Sequence, residues 1–258
     1  FQAEDGIRDR SPSRGLGDVY KRQGGARRLG RGMVKALHGS GMDIVVHYYS
    51  SEIEAHDLKK ELEKNRANSI FLVKGNLREP LMAKQIISSA IEHFGRLDLL
   101  VNNASSFYPT NLNNTSPSQF NELISTNFMA PYLLSQAAAN YLRKNKGAII
   151  NITDIYADRP LKSHSVYSAS KAALKSLTLS LAQELAPYIR VNAIAPGSIL
   201  WPEGQTFGEE QQNLIDSTPL KRVGTPADVE KALLFLWQDA PYVTGQTLYI
   251  DGGRSIVN

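Results

Sequence analysis

Two residues with chemistry to offer stand four apart in "YSASK": Tyr167 and Lys171. On a helix that spacing puts both on one face. A phenol, with an unperturbed pKa of about 10, exchanges protons poorly at neutral pH. An ammonium one turn away favours the phenolate and is expected to lower that value, which makes the pair a candidate acid–base device. The same pair also fits a plain surface contact. A second candidate is "GGARRLGRG" at 24–32, a glycine-rich turn running into helix-period sequence. Gly24 suits a tight turn, Gly30 suits close packing of helix on strand, and the amides between them suit a pyrophosphate.

These residues need elements to position them. Apolar, β-branched runs recur at 43–49, 68–76, 97–105, 147–154, 189–197 and 247–253. Most are continuous rather than alternating, as strands buried on both faces should be. Helix-period segments lie between them, at 29–40, 51–66, 80–95, 117–145, 165–187 and 225–238. Strand and helix in alternation over a whole chain predict one α/β domain, a doubly wound parallel sheet covered by helices.

Composition sets limits. The chain has 258 residues, is 42% hydrophobic and 21% charged, and carries a formal charge of +4. That balance is ordinary for a globular domain. The mild basicity needs no nucleic-acid partner, since a site for an anionic cofactor accounts for it. Absence of Cys excludes disulfides and thiolate metal sites, and no metal is expected. No apolar run approaches the ~20 residues that span a bilayer, so no membrane partner and a cytoplasmic location are expected.

Residues 1–23, "FQAEDGIRDRSPSRGLGDVYKRQ", stand outside this order. A phosphate-binding turn calls for a buried strand before it, yet Lys21 and Arg22 occupy that place. The segment holds nine charged residues and no apolar face at either period. "QAEDGIRD" resembles the translated read-through of a sequencing-library adapter. The segment is therefore set apart as non-native, the domain is taken as 24–258, and the first strand as corrupted.

The cofactor reading sharpens at 47–51. A strand that serves NAD ends in an acid, which bonds the ribose 2′-hydroxyl. This one ends in His47, Tyr48, Tyr49, Ser50 and Ser51. Two hydroxyls opening a helix suit a 2′-phosphate, with Arg27 and Arg28 adding charge, so NADPH is expected over NADH. The serines are also ordinary N-cap residues.

"NNAS" at 102–105, "STN" at 125–127, "APG" at 195–197 and a terminal "DGG" complete the set. With the glycine turn and "YSASK", their order and spacing resemble the short-chain dehydrogenase/reductase family over residues 24–258. The resemblance implies a seven-stranded Rossmann-type fold. It implies that Tyr167 and Lys171 are catalytic and that Asn127 supports a water relay. It also implies cofactor contacts from Leu29, Leu77, Asn103, Ala104, Ser105, Pro196, Gly197 and Ser198, and one from Asn76, where the family often has Asp.

Two departures resemble the pteridine reductases. Asp154 stands thirteen residues before Tyr167, where the wider family has Ser, and Arg28 stands where most members have Gly or Ala. A carboxylate repels a carbonyl oxygen but accepts N–H donors, which a pterin ring offers in a row. That subfamily implies pterin contacts from Arg28, Ser105 and Phe107 as well as Asp154 and Tyr167. Phe107 also fits a plain core aromatic. Leu200 and Trp201 belong to a Gly-, Pro- and charge-rich stretch, 198–213, expected to form a substrate lid. The implied substrate is a dihydropteridine: dihydrofolate, dihydrobiopterin or dihydromonapterin. The implied assembly is a homotetramer through 117–145 and 165–187. The alternatives are a carbonyl or 3-oxoacyl reductase, which would carry Ser at 154, and a protein that senses NADP(H) without turnover.

Overall fold

The computed structural model describes residues 25–199 and 208–257. Helix α1 (Arg28–Gly39) follows the glycine turn, then β1 (Ile44–Tyr48), α2 (Glu52–Leu62), β2 (Ile70–Lys74), α3 (Pro80–Phe94) and β3 (Leu99–Asn102). Next come α4 (Pro117–Ile124), a π turn at Ser125–Met129, α5 (Ala130–Asn145) and β4 (Ala148–Ile152). The chain continues through α6 (Ser165–Leu185), β5 (Arg190–Pro196), α7 (Glu209–Asp216), α8 (Pro226–Leu234) and β6 (Thr247–Ile250).

Every strand pairing is parallel. β1 pairs with β2, and β3, β4, β5 and β6 pair in that order. Parallel neighbours need crossover helices, and the sequence supplies one between each pair. Each of the six apolar runs holds one of the six strands among the described residues, shorter than its run because flanking residues turn into loops.

β4 is buried at all five positions, which fits a strand covered on both faces. Alternate residues feed opposite layers. Ile150 and Ile194 pack with Met33, Leu37, Val229 and Leu233 from α1 and α8. Ile149 and Val191 pack with Ile86, Leu134 and Leu181 from α3, α5 and α6. Each fully buried side chain of this kind stabilises the fold by roughly 1.5–3 kcal/mol.

The expected seven-stranded sheet is not continuous among the described residues. Six strands form a pair and a group of four, and a cleft of about 550 Å³ lies between β1 and β3. Val46, Leu99, Val101, Met33 and Val34 are among the apolar side chains that line it. Gly25, the first described residue, lines this cleft. A Cβ on Gly25 would stand 3.1 Å from a Val46 methyl, so the turn lies tight against β1.

The segment at 117–145 is not one helix. Its middle is a five-residue π turn, and Asn127 sits inside it. Helical periodicity alone does not mark such a turn, because the 3.6-residue spacing persists on both sides and only its phase shifts. Single π turns of this kind concentrate at functional sites.

Candidate active site

The carboxyl ends of the parallel strands converge, and the expected site residues lie on the loops just past them. Ser50 follows β1, Asn76 follows β2, Asn103 follows β3, Asp154 follows β4 and Gly197 follows β5. In open α/β sheets that edge is where ligands bind.

Tyr167 and Lys171 lie one turn apart near the start of α6, and both are buried. The Tyr167 hydroxyl donates to Asp154 Oδ2 at 2.6 Å, and Asp154 Oδ1 accepts from the Tyr156 amide at 2.9 Å. Lys171 Nζ donates to the Ile152 carbonyl at 3.0 Å and stands 5.8 Å from the Tyr167 ring centre.

This geometry corrects the expectation that Lys171 lowers the phenol's pKa. Burial and the adjacent Asp154 carboxylate push Tyr167 well above its ordinary value, while Ser105 pulls weakly the other way. Burial also raises Asp154, against the opposing pull of Tyr167. Burial lowers Lys171 to about 8, with Asp154 holding it up. Asp154 is the nearer charge, so it outweighs the ammonium one turn away. The phenol therefore stays protonated and donates to the Asp154 carboxylate.

Asn127 is fully buried and saturated. Its Oδ1 accepts from Ser105 Oγ at 3.2 Å and Ser106 N at 2.8 Å. Its Nδ2 donates to the Ser106 carbonyl and to Ser170 Oγ, each at 3.0 Å. The side chain thus clamps the turn after β3 to α6. Ser106 and Ser170 were not singled out from sequence, since isolated serines carry no pattern. Behind them, Asn102 Nδ2 donates to Asn151 Oδ1 at 2.8 Å, and Asn151 Nδ2 to Thr178 Oγ1 at 2.9 Å.

Phe107 packs edge-on against Tyr167, with ring centres 4.6 Å apart, and stacks on His164 at 4.7 Å. Sequence reasoning passed over His164. The available signal was its place three residues before Tyr167.

A smaller pocket of about 100 Å³ gathers Tyr48, Tyr49, Ser50, Ser51, Asn76, Leu77, Ala104 and Ser105. Arg78 and Glu122 stand at its edge and approach each other to 3.8 Å. Ser51 is the N-cap of α2 but makes no side-chain capping bond. Asn76 Oδ1 accepts from the Arg78 amide at 3.2 Å. Arg27 is paired with Glu54, so its charge is already compensated. Arg28 is half-buried and opens α1 at a left-handed φ of 49°, a strained conformation for a residue with a side chain. Leu29 and Gly30 are buried behind it.

Pro196 is buried at the end of β5. A Cβ on Gly197 would meet Asp251 Cβ at 2.8 Å, so only glycine lets the turn approach β6 this closely. The Ser198 carbonyl accepts from Gly224 N at 2.9 Å. Gly24, Leu200 and Trp201 lie outside the described residues, as does half of the expected lid, 200–207. Among the described residues, no cluster of His, Asp or Glu could hold a metal ion, and no helix is long and apolar enough to cross a membrane.

The pockets and turns fit a dinucleotide. An uncapped helix start behind the glycine turn and a hydroxyl-lined pocket past β1 offer it hydrogen-bond donors.

Comparison with known proteins agrees. Residues 24–255 match the family model described as enoyl-(acyl carrier protein) reductase. Pteridine reductase 1 of Leishmania tarentolae is 31% identical, over 90% of this chain and 94% of that protein. The 3-oxoacyl-(acyl-carrier-protein) reductase of Staphylococcus epidermidis is also 31% identical, over 89% and 96%. An apo SCOR enzyme from Clostridium thermocellum superposes with a TM-score of 0.81 at 31% identity, covering 91% of each chain. With its parallel α/β sheet, its Tyr167–Lys171 helix and these matches, the chain belongs to the short-chain dehydrogenase/reductase family of oxidoreductases.

Proposed function

We propose that the protein reduces a dihydropteridine, using NADPH, at a ring C=N bond. The observation that carries this reading is Asp154, a carboxylate 2.6 Å from the Tyr167 hydroxyl. It accepts ring N–H donors well and repels a ketone oxygen. Phe107, edge-on to Tyr167, offers an aromatic surface beside the same point. Ser105 and Arg28 complete the substrate side.

When bound, NADPH supplies a hydride to the carbon of the C=N bond. The nitrogen of that bond takes a proton from Tyr167, which the raised pKa keeps protonated at neutral pH. The Lys171 ammonium stabilises the negative charge that Tyr167 acquires. Asn127 keeps the turn carrying Ser105 fixed against α6 while this happens.

For the cofactor, Ser50 and Ser51 favour a 2′-phosphate, and the Ser51 hydroxyl is not engaged in capping. Gly24, Leu29, Gly30, Asn103, Ala104, Pro196, Gly197 and Ser198 would hold the remaining dinucleotide, with Tyr48, Tyr49, Asn76 and Leu77 around its adenosine end. A homotetramer is the proposed assembly. Phe120, Tyr132 and Leu179 on α4, α5 and α6 are exposed apolar groups available to it.

The test is a substrate panel: NADPH consumption with dihydrobiopterin, dihydrofolate and an acetoacetyl thioester. Turnover of either pterin well above the thioester is expected. Turnover of the thioester alone would make the protein a 3-oxoacyl reductase.

A further inference from the structure

The loop after β3 carries Ser105 and Phe107, and α6 carries Tyr167 and Lys171. These segments are far apart in sequence, so something must fix their mutual position. One latch is polar. Thr110 N donates to the Ser163 carbonyl at 2.6 Å, and Val166 N donates to Thr110 Oγ1 at 3.2 Å. Thr110 is buried, and its hydroxyl accepts from the first turn of α6 from 56 residues away. Ser163 presents its carbonyl from a left-handed φ of 62°, a costly conformation for serine.

The second latch is aromatic. The His164 ring lies nearly parallel to Phe107, with an interplanar angle of 17° and centres 4.7 Å apart. His164 is itself pinned, since Nδ1 bonds the Lys162 carbonyl at 2.9 Å and its amide donates to Leu161 O at 3.1 Å. Phe107 in turn meets Tyr167 at 86°. The three rings form a row in which His164 fixes one face of Phe107 and Phe107 sets the wall beside the reacting hydroxyl.

We propose that His164 is a positioning residue for substrate, acting through Phe107: it holds the Phe107 ring at the tilt that receives the flat substrate ring. This rests on the pterin reading and deepens it. A stacked aromatic pair contributes modestly beyond its buried area, so loss of the histidine ring should weaken substrate binding roughly threefold to tenfold. His164 touches neither Lys171 nor the pocket past β1, so cofactor affinity should not move.

The experiment measures kcat and KM for dihydrobiopterin, and Kd for NADPH, in the parent and in His164→Ala, His164→Phe, Phe107→Ala and the His164→Ala/Phe107→Ala double variant. His164→Ala should raise the pterin KM roughly threefold to tenfold with NADPH Kd unchanged, and His164→Phe should restore KM, because it keeps a ring. The double variant should show no further rise in KM over Phe107→Ala, since the histidine acts through that ring. An unchanged KM in His164→Ala would overturn the inference. So would failure of His164→Phe to restore it, an additive double variant, or an equal loss of NADPH affinity. A parent with no pterin turnover would sink the pterin reading itself and this inference with it.

Discussion

The Tyr167 hydroxyl donates a 2.6 Å hydrogen bond to Oδ2 of Asp154, thirteen residues earlier and at the end of a different element. The contact joins the loop after β4 to the first turn of α6, with Tyr167 buried and Asp154 half-buried. Asp154 raises the pKa of Tyr167, while the Tyr167 hydroxyl pulls Asp154 down against its burial, a relationship the spacing of Tyr167 and Lys171 alone does not reveal. The Lys171 ammonium is left to act on the pair from behind, donating to the Ile152 carbonyl.

The pH profile follows from that arrangement. Lys171 is lowered to about 8, chiefly by burial, and Asp154 holds it from falling further. Its charge is present below that value and lost as pH rises through it. The value of kcat/KM should therefore fall on the alkaline side near 8. Asp154→Asn removes the charge that holds Lys171 up, so the residual activity of that variant should lose its alkaline limb at lower pH. A limb that stays in place would mean that another group governs it.

Cofactor choice should depend on the residues after β1. Ser50 and Ser51 carry no negative charge, and Ser50→Asp places a carboxylate where a 2′-phosphate is expected. The parent should prefer NADPH, and the variant NADH, judged by kcat/KM for each. The Arg27–Glu54 pair adds a refinement. Glu54→Gln frees Arg27 and should lower the KM for NADPH, with a smaller effect on NADH. Equal efficiency of the parent with both cofactors would contradict this account.

The cleft between β1 and β3 makes a stability prediction. Its apolar lining suits a buried parallel strand, yet the six residues before Gly24 offer only Val19 and Tyr20 as apolar side chains. Burying Lys21 and Arg22 there would be costly. Replacing residues 1–23 with an apolar strand ending in Thr should raise the thermal midpoint and tighten NADPH binding. Several buried side chains at roughly 1.5–3 kcal/mol each give the effect its size. If the given chain matches the replaced one in both measurements, residues 1–23 serve the fold as they stand.

The layer order was legible because continuous apolar runs and helix-period segments alternate cleanly from residue 29 onward. The strand ends were legible as a site because Ser50 follows such a run and Asn103, Asp154 and Gly197 stand at the ends of others. The π turn at Ser125–Met129 was not, since a one-residue widening leaves periodicity on either side intact. Nor was the direction of the Tyr167 shift. Sequence spacing shows what shares a helical face, but Asp154 reaches Tyr167 across space from a strand end. The pairing of Arg27 with Glu54 and the stacking of His164 on Phe107 escaped for the same reason. Both are long-range contacts between side chains of ordinary type.

The most direct test of the central claim is the substrate preference of Asp154→Ser against the parent. Both proteins are assayed for kcat/KM with dihydrobiopterin and with an acetoacetyl thioester, and their NADPH Kd values are measured in parallel. Losing one charge-assisted hydrogen bond costs about 1.5–3 kcal/mol, which is roughly a tenfold to hundredfold loss in pterin efficiency. The account predicts that loss, a smaller change or a gain with the thioester, and an unchanged Kd for NADPH. Pterin kinetics in Asp154→Ser that equal those of the parent would contradict it.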